Sequence, residues 1–461
     1  MKYIRDKVKV VTYIDSEELH FQSFSHFTKE SKLSDKFFEN ESGINFLFSV
    51  IKSRLFFNYS SDLLFVSDNL NFLAKHFSLT ISDDSEKFYL KFGFILPPFT
   101  QYKDVFLISP FTRFHLNNSG VIFNSEFQDL SDQSDNNNLN NTLTKYFNHY
   151  SNHNLDILVS GGIDSSALLG YLKQNYNVRK TFMCKMSSLP NEGKLAEELS
   201  QSINVPFESI NLDIDLSNRA LEFVSESGEY ISDSIALVFP ELFSKINSEN
   251  KKLYIVDGQG ADSLLNGLPL NKVYDVWEKV RPIKYLLYPL SLLPIYKNKS
   301  TPLKRKLYRL SKAIKCLSQL DFKNSILLAM IEKEMPTLKL EIVLLNELDK
   351  LYEQFGDWHL VLRVLYLYRV LPAREMQKYL FSKKYNIEIV APFLDENVIN
   401  SFLFLSNEKL IKDGLYKYPI SKMAQKYWPN KFEKSKTSPF QVNYKIGFSD
   451  LKEYSINFFK N

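Results

Sequence analysis

The sequence is poor in cysteine, in glycine and in net charge, and each shortage excludes a class of protein. Cys184 and Cys316 are its only cysteines, too few for a disulfide framework or a four-thiolate zinc site. The 57 basic and 53 acidic residues leave a net charge of +4 over 461 residues, which gives no overall electrostatic case for nucleic-acid binding. Because only 14 glycines occur, a cluster of them indicates a requirement of the backbone.

Long apolar runs are also missing. The longest apolar-looking stretch, from Tyr285 to Tyr296, contains Pro289 and Pro294 and is shorter than the roughly 18–20 residues of a membrane span. The first residues alternate charged and apolar side chains and lack the apolar core of a signal peptide. Hydrophobic residues make up 44% and charged residues 24%, as in folded globular proteins. We therefore expect a folded, cytoplasmic protein with no membrane span and no nucleic-acid partner.

The pattern of the remaining residues divides the chain into unlike parts. Residues 1–125 contain short alternating runs bounded by Asn and Ser, which is typical of a mostly β domain. Residues 126–141 have almost no apolar content and predict a linker. Residues 142–461 form the second domain, in which strand-like and helical patterns alternate.

This alternation predicts the fold of the second domain. Single helical patterns separate most of the apolar strands, which are predicted at 155–160, 180–186, 207–212 and 252–258. Strands separated by helices form a parallel, doubly wound sheet, whose ligands bind at the carboxyl ends of the strands. The expected fold class is therefore α/β in this domain, with helical additions.

The helical additions are predicted at 272–390, and residues 272–355 begin with a strongly basic part. Twelve Lys or Arg residues lie between Lys272 and Lys315, against Asp275 and Glu278. One interpretation is a solvated helical face together with a core helix. The other is a docking surface for an acidic peptide or an anionic ligand. The sequence leaves both open.

The first glycine cluster has the sequence S-G-G-I-D-S-S and stands between an apolar strand and a helical pattern. Its glycines let backbone N–H groups approach a ligand, its serines add donors, and the helix N-terminus adds about half a positive charge. We therefore predict a phosphate-binding loop formed by Ser160, Gly161, Gly162, Asp164, Ser165 and Ser166. The lysine of the G-x-x-x-x-G-K-[ST] loop is missing. Asp164 within an anion site requires a cation, and Mg²⁺ bridging carboxylate and phosphate oxygens would supply one.

The second glycine cluster, D-G-Q-G-A-D, runs from Asp257 to Asp262 and also follows an apolar strand. Gly258 and Gly260 permit close backbone approach, and Asp262 adds a second carboxylate at the same edge of the sheet. Alone, this pattern is also typical of a plain turn. Together with the first loop it predicts two magnesium ligands, Asp164 and Asp262.

The first loop resembles the pyrophosphate loop of the ATP pyrophosphatases, and the pair of loops resembles the asparagine-synthetase branch of that superfamily. Two further stretches resemble this branch: A-P-F-L-D at Ala391–Asp395, and the passage from Phe92 to Phe114. The resemblance implies ATP and Mg²⁺ as cofactors, and splitting of ATP into AMP and pyrophosphate to adenylate a carbonyl oxygen. It also implies nucleotide contacts from both glycine loops and from Met186.

The resemblance further implies a catalytic lysine near the end of the chain. The stretch K-S-K-T-S-P-F begins at Lys434, where the family places a lysine that touches pyrophosphate and the reacting intermediate. We expect Lys436 to have this role, and Lys434 is the alternative. A lysine there would offset the charge that develops as pyrophosphate leaves.

The N-terminal domain departs from the asparagine synthetases. These release ammonia from glutamine with a cysteine at position 2, whereas this sequence has Lys2 and no cysteine before Cys184. Without a thiolate nucleophile the chemistry fails, so we expect a degenerate, glutaminase-like (Ntn-type) domain that acts as a scaffold.

β-Lactam synthetases and the macrolactam synthetases of lasso peptides share this loss. β-Lactam synthetases carry a Tyr in the G-x-G-x-D segment, paired with a Glu, where this sequence has Gln259, which cannot act as a base. Glu375 is a substitute base or, equally, a surface carboxylate. We therefore assign Lys436, Glu375 and Gln259 to the catalytic centre.

The expected function is an AMP-forming, ATP-dependent ligase that joins a substrate carboxylate to a substrate amine. The best specific expectation is macrolactam closure of a lasso precursor peptide, assisted by a leader protease or a peptide-binding partner protein. The alternatives are a β-lactam synthetase-like or other ligase for an amino-acid-derived molecule, a non-catalytic family member, and a tRNA-acting enzyme.

Overall fold

The structure, a computed structural model, describes most of the strands and helices of the chain and many of their connections. The described residues are 9–13, 20–23, 36–40, 43–47, 55–60, 63–77, 79–117, 120–125, 127, 138–186, 193–212, 216–292, 302–429, 431–432 and 448–460.

Strands β1 to β9 form two sheets before residue 126. Their bounds are Lys9–Tyr13, His20–Ser23, Lys36–Asn40, Gly43–Leu47, Phe56–Ser60, Leu63–Ser67, Val105–Leu107, Thr112–Asn117 and Gly120–Ser125. The sheet orders are β2-β1-β6-β5-β7 and β3-β4-β8-β9, and only the pair β1 and β6 is parallel. The sheets pack face to face through apolar side chains, among them Phe57 and Phe114, whose ring centroids are 5.0 Å apart. The β-rich pattern thus corresponds to two layers of sheet, and the glutaminase-like nature of this part stays a prediction.

The second half of the chain contains a five-stranded parallel sheet, as predicted. Its strands β10 to β14 are Leu155–Leu158, Val178–Met186, Phe207–Leu212, Leu253–Val256 and Ile387–Val390. The order is β12-β11-β10-β13-β14, and all four pairs are parallel. From β10 the chain adds β11 and β12 on one side of the sheet and then β13 and β14 on the other side. This is the doubly wound topology.

Strand β14 corrects the expectation that residues 272–390 are all helical. Its four residues, I-E-I-V, pair with β13, and the amide of Asp257 extends the pairing to the carbonyl of Val390 at 3.0 Å. A four-residue run directly after a helix is too short to separate strand from helix by periodicity. It becomes a strand because the edge of β13 offers backbone partners.

The α-helices cover both faces of the parallel sheet and fill the space between it and the N-terminal sheets. Their bounds are Leu70–His76, Asp83–Phe92, Leu139–Phe147, Ile163–Asn175, Lys194–Ser202, Leu216–Ser227, Phe239–Ile246, Ala261–Leu264, Pro269–Val280, Lys284–Ser291, Pro302–Leu317, Phe322–Met330, Lys339–Phe355, Trp358–Leu365, Leu371–Arg374, Lys378–Lys384, Glu396–Phe402, Asn407–Leu410, Tyr418–Tyr427 and Phe448–Lys460. Within the described residues, none combines the length and the apolar character that crossing a membrane requires.

The two halves of the chain share buried contacts. Phe88 and Phe92 belong to the same apolar core as the residues around β10 and β13. The Lys91 ammonium lies 2.5 Å from the Glu341 carboxylate, and both side chains are buried. Residues 128–137 of the predicted linker lie outside the described residues. At the ends of the linker Phe127 is buried and a helix begins at Leu139.

A π-helical turn, Tyr366–Val370, interrupts the helix that runs from Trp358 to Arg374. The turn places Arg369 in the interior, where its guanidinium pairs with Glu347 at 2.7 Å. The same guanidinium donates to the carbonyl of Pro110 at 2.7 Å and to the Ser125 hydroxyl at 3.1 Å. Arg369 thereby ties the β7–β8 connection and the end of β9 to this helix.

Candidate active site

A cavity of about 480 Å³ opens at the carboxyl ends of β10 and β13. Between these strands the strand order reverses direction, the position at which doubly wound sheets bind their ligands. Both predicted loops contribute to its lining, with Ser160 and Asp164 from the first and Gly258 and Asp262 from the second. The structure therefore brings together two segments that are about a hundred residues apart in the sequence.

The first loop turns tightly between β10 and the helix Ile163–Asn175. Gly161 has a φ of +72°, a conformation that favours glycine. The hydroxyl of Ser160 accepts from the amide of Gly162 at 3.2 Å, and the hydroxyl of Ser165 accepts from the amide of Ser160 at 3.2 Å. No side chain caps the helix that follows. Because the first amides of a helix have no partners within it, this N-terminus is suited to an anion.

The second loop is held in place by the A-P-F-L-D segment. Gly260 has a φ of +93°, and a Cβ there would lie 2.6 Å from a methyl carbon of Leu394. A Cβ on Gly258 would lie 3.4 Å from that of Asp164, so the two loops approach closely. The A-P-F-L-D segment therefore packs against Gly260, and none of its residues lines the cavity.

Lys417 joins the two aspartates. No motif or spacing in the sequence marks this lysine as a site residue. Its ammonium donates to both oxygens of Asp164, at 2.9 and 2.7 Å, and lies 2.7 Å from an oxygen of Asp262. The lysine is almost fully buried and has a φ of +56° at the start of the helix Tyr418–Tyr427. Gly267 makes room for the contact, since a Cβ there would lie 2.3 Å from Asp262 and 2.5 Å from Lys417.

The charges of this cluster depend on one another. Burial raises the pKa of the Asp164 carboxyl to about 6; Lys417 counteracts this shift and Asp262 adds to it. Burial lowers the pKa of Lys417, but the two carboxylates outweigh it, so that the pKa lies above its usual range. Two carboxylates from different loops thus converge on one cation.

This donor set fits Mg²⁺. Among the described residues no group of three or more His, Cys, Asp or Glu side chains could hold a metal ion. Mg²⁺ in nucleotide enzymes commonly has one or two carboxylate ligands and takes further oxygens from phosphates and water. Asp164 and Asp262 supply the two carboxylates, beside a loop suited to phosphate.

The sequence model of a family described as asparagine synthase matches residues 150–457, well over half of the chain. The chain belongs to the asparagine synthase family. This is a family of ATP-dependent ligases.

No curated protein matches the chain. Among solved structures, one from Methanocaldococcus jannaschii, described as a predicted subunit of tRNA methyltransferase, matches with 23% identity and a TM-score of 0.18. The match covers 28% of this chain and spans 64% of that one, and so limited a likeness supports no inference about this member of the asparagine synthase family.

Gln259 and Glu375 both line the cavity and contact each other. The Gln259 amide nitrogen donates to the Glu375 carboxylate at 2.9 Å, while its amide oxygen is buried without a hydrogen-bond partner among the described residues. Glu375 is exposed, which agrees with the alternative of a surface carboxylate, but it lies at the cavity, where desolvation by the surrounding protein raises the pKa of its carboxyl and the hydrogen bond from Gln259 counteracts this. Desolvation likewise raises the pKa of Asp233, which also lines the cavity. A carboxylate with a raised pKa is suited to accept a proton near neutral pH.

The remaining wall of the cavity is apolar on one side and charged on the other. The apolar side comes from β11 and from the residues around the helix Phe239–Ile246, and consists mainly of Phe182, Met183, Ile235, Val238, Phe239 and Leu242. On the charged side, Lys378 pairs with Asp257, whose carboxylate also accepts from the amide of Gln259 at 3.1 Å. An apolar wall beside a loop suited to phosphate could receive a nucleotide base.

Gly161, Ser166 and Gly260 are predicted site residues that do not line the cavity, and Ser166 is buried beneath the first loop. Met186 ends β11, and its side chain lies outside the described part of the chain. Lys436 and its alternative Lys434 lie outside the described residues, so the catalytic role of Lys436 stays a prediction.

Proposed function

We propose that the chain is an AMP-forming ligase that adenylates a substrate carboxylate and couples it to a substrate amine. The observation that carries the proposal is the convergence of Asp164 and Asp262 on one cation position beside an uncapped helix N-terminus. Splitting ATP between its α- and β-phosphates requires charge neutralisation at that point.

The first loop would hold the departing pyrophosphate. Its amides and the hydroxyls of Ser160 and Ser165 donate to phosphate oxygens, and the helix N-terminus adds partial positive charge. Asp164 and Asp262 would hold Mg²⁺, which would neutralise charge on these oxygens. Lys417 then turns its ammonium toward the phosphates, and the substrate carboxylate attacks the α-phosphorus. Lys436 is proposed to assist the same departure.

Coupling needs a base for the attacking amine. Glu375, kept in place by Gln259, accepts the proton that the amine loses as it displaces AMP from the carbonyl carbon. The buried amide oxygen of Gln259 offers the amine a hydrogen-bond acceptor in the same place. The adenine would lie against the apolar wall formed by β11 and the helix Phe239–Ile246.

The amine belongs to the substrate in this proposal, because the first 183 residues contain no cysteine to release ammonia from glutamine. The substrate we favour is a precursor peptide that is closed to a lasso macrolactam with the help of a leader protease or a peptide-binding protein. The alternative is an amino-acid-derived small molecule.

The reaction can be tested with purified protein, ATP and Mg²⁺, measuring AMP and pyrophosphate. Asp164→Asn and Asp262→Asn should each lower turnover by about 10²–10³-fold, the scale for one lost electrostatic contact in a transition state. Asp321→Asn, which changes a helix cap far from the cavity, is the matched control and should keep its turnover. Formation of ADP in place of AMP contradicts the proposal.

The substrate class needs its own measurement. A synthetic peptide with a free N-terminal amine and an internal Asp or Glu should lose one water in an ATP-dependent way, as followed by mass spectrometry. AMP formation with small amino acids but with no such peptide would assign the chain to the alternative. Release of glutamate from glutamine would contradict the scaffold role of the N-terminal part.

A further inference from the structure

Exposed apolar side chains are concentrated in one part of the surface. Among the described residues, eighteen large apolar side chains are exposed, and nine of them lie between Ile283 and Leu310. They include Leu286, Leu292 and Leu303, which are 77%, 74% and 68% exposed. They lie on or beside two helices that contact each other, Lys284–Ser291 and Pro302–Leu317. These helices therefore expose apolar as well as charged side chains.

The same part of the chain holds an excess of positive charge. Residues 279–320 contain eleven Lys or Arg and no Asp or Glu. The other 419 residues contain 46 basic and 53 acidic residues, a net charge of −7. The small net charge of the whole chain is therefore the sum of a basic segment and an acidic remainder.

The helix Pro302–Leu317 exposes an apolar stripe with basic side chains beside it. Leu303, Leu307 and Leu310 are spaced to lie along one side of their helix, and all three are exposed. Lys306 and Arg309 stand between them in sequence and are exposed as well. We call the exposed side chains of these two helices, together with Leu292, the lysine-leucine surface. Its members are Tyr285, Leu286, Tyr288, Pro289, Leu290, Leu292, Leu303, Lys306, Leu307, Arg309 and Leu310.

This chemistry favours a lipid surface over a protein partner. Eight of the eleven cations are lysines, and lysine is depleted in protein–protein interfaces. A helix with leucines on its exposed side and several Lys or Arg residues is typical of segments that lie in the headgroup region of an anionic membrane. The lysines pair with lipid phosphates there, while the leucines and tyrosines enter the boundary with the acyl chains.

We propose that the lysine-leucine surface docks the protein on an anionic phospholipid membrane without crossing it. The rest of the chain has a net charge of −7, so an anionic membrane repels it. The protein therefore docks only through the lysine-leucine surface. This inference goes beyond the proposed ligase function and does not depend on it, because docking requires neither ATP nor substrate.

Vesicle co-sedimentation of the full chain tests the proposal. The protein should bind vesicles of phosphatidylcholine with one third phosphatidylglycerol at least tenfold more tightly than phosphatidylcholine alone, and high salt should remove the difference. Lys306→Glu with Arg309→Glu should weaken binding at least tenfold, since each basic residue near an anionic surface contributes about fivefold. Leu286→Gln with Leu310→Gln should weaken it severalfold.

Matched controls change exposed residues of the same types elsewhere on the surface. Ile122→Gln with Ile342→Gln and, separately, Lys251→Glu with Lys339→Glu should bind anionic vesicles like the wild type. Equal binding to both vesicle types overturns the proposal, as does weakening by the control variants to the same extent. If vesicles do not bind and the lysine-leucine variants instead abolish self-association or binding of an acidic peptide, the surface is a protein interface and the proposal is wrong.

Discussion

Lys417 determines the charge of the site in the free protein. Asp164 and Asp262 come from different loops, and without a cation between them two carboxylates would repel each other at short range. The lysine reaches them from a third segment, in a backbone conformation that is uncommon for residues other than glycine. Its ammonium therefore keeps the site assembled before substrates bind.

Lys417→Met should separate this structural role from the catalytic one. The variant leaves two carboxylates without a counter-charge, so it should unfold at a lower temperature and turn over substrate about 10²–10³-fold more slowly. Mg²⁺ alone should raise its melting temperature more than that of the wild type, since the cation position is then empty. Lys422→Met, five residues later on the same helix, is the control. Equal effects of Mg²⁺ on wild type and variant would contradict the assignment.

The raised pKa of Asp164 predicts a pH dependence with a definite sign. This pKa is about 6 in the folded protein, against an ordinary 3.8. At a pH between these two values, the folded protein keeps a proton on Asp164 that the unfolded chain has lost. This contribution to stability is fully present below about pH 4 and is lost as the pH rises through about 6. Asp164→Asn should abolish it, as measured by urea unfolding at several pH values.

Turnover should show the opposite trend, because a protonated Asp164 cannot pair with a cation. We expect kcat/KM for AMP formation, which reports the free enzyme, to fall as the pH drops below about 6. An acid limb near the ordinary carboxylate pKa of about 4 would contradict the environment described for Asp164.

At the level of secondary structure, the site depends on the contact between two helices. Ile163–Asn175 carries Asp164 in its first turn, and Tyr418–Tyr427 starts directly after Lys417. They approach so closely that a Cβ on Gly170 would lie 2.5 Å from ring carbons of Tyr427. The distance between the two helices therefore sets the distance between the lysine and the aspartate.

Gly170→Ala should force these helices apart. We expect a loss of about 1–3 kcal/mol in the free energy of unfolding, the usual cost of overpacking, and a lower turnover in the folded fraction. Tyr427→Ala removes the Cγ and the ring carbon that would each lie 2.5 Å from the alanine Cβ, so in that background Gly170→Ala should cost less. A double-mutant cycle by urea unfolding measures the difference, and additive effects would exclude the contact as the cause.

The sequence predicted the loops and the sheet more successfully than it predicted Lys417 or β14. Each loop is a contiguous group of glycines and aspartates after an apolar strand, so its position at the end of that strand follows from local pattern, while its chemistry stays a prediction. Lys417 is one of 57 basic residues, and only the fold brings it to Asp262, which is 155 positions earlier. The sequence predicts both Gln259 and Glu375 as catalytic residues. Their contact, however, joins segments 116 positions apart and depends on the fold. Strand β14 has too few residues for a periodic signal.

For the whole molecule, the shared core makes the two halves one unit of stability. The pair of Lys91 and Glu341 joins the N-terminal helix Asp83–Phe92 to the helix Lys339–Phe355, and both side chains are buried. Breaking a buried ion pair leaves one charge without a partner, which costs more than losing a pair at the surface.

Lys91→Met should lower the free energy of unfolding by about 3–5 kcal/mol, in a single transition for both halves. Lys91→Met with Glu341→Leu should be less destabilised than Lys91→Met alone, because no charge remains unpaired. The exposed pair of Lys431 and Glu198 provides the control, and Lys431→Met should leave the urea midpoint unchanged. Two separate transitions in the wild type would contradict a shared core.

The interior position of Arg369 explains how the N-terminal half can be kept under selection even with no chemistry of its own. Five residues beyond Arg369 the same helix ends at Arg374, and Glu375 follows at the cavity. The backbone carbonyl of Pro110 and the hydroxyl of Ser125 hold Arg369, and thereby the helix that carries the proposed base. A hydroxyl at residue 125 then serves the proposed reaction of the other half, whereas any residue can supply the backbone carbonyl at position 110.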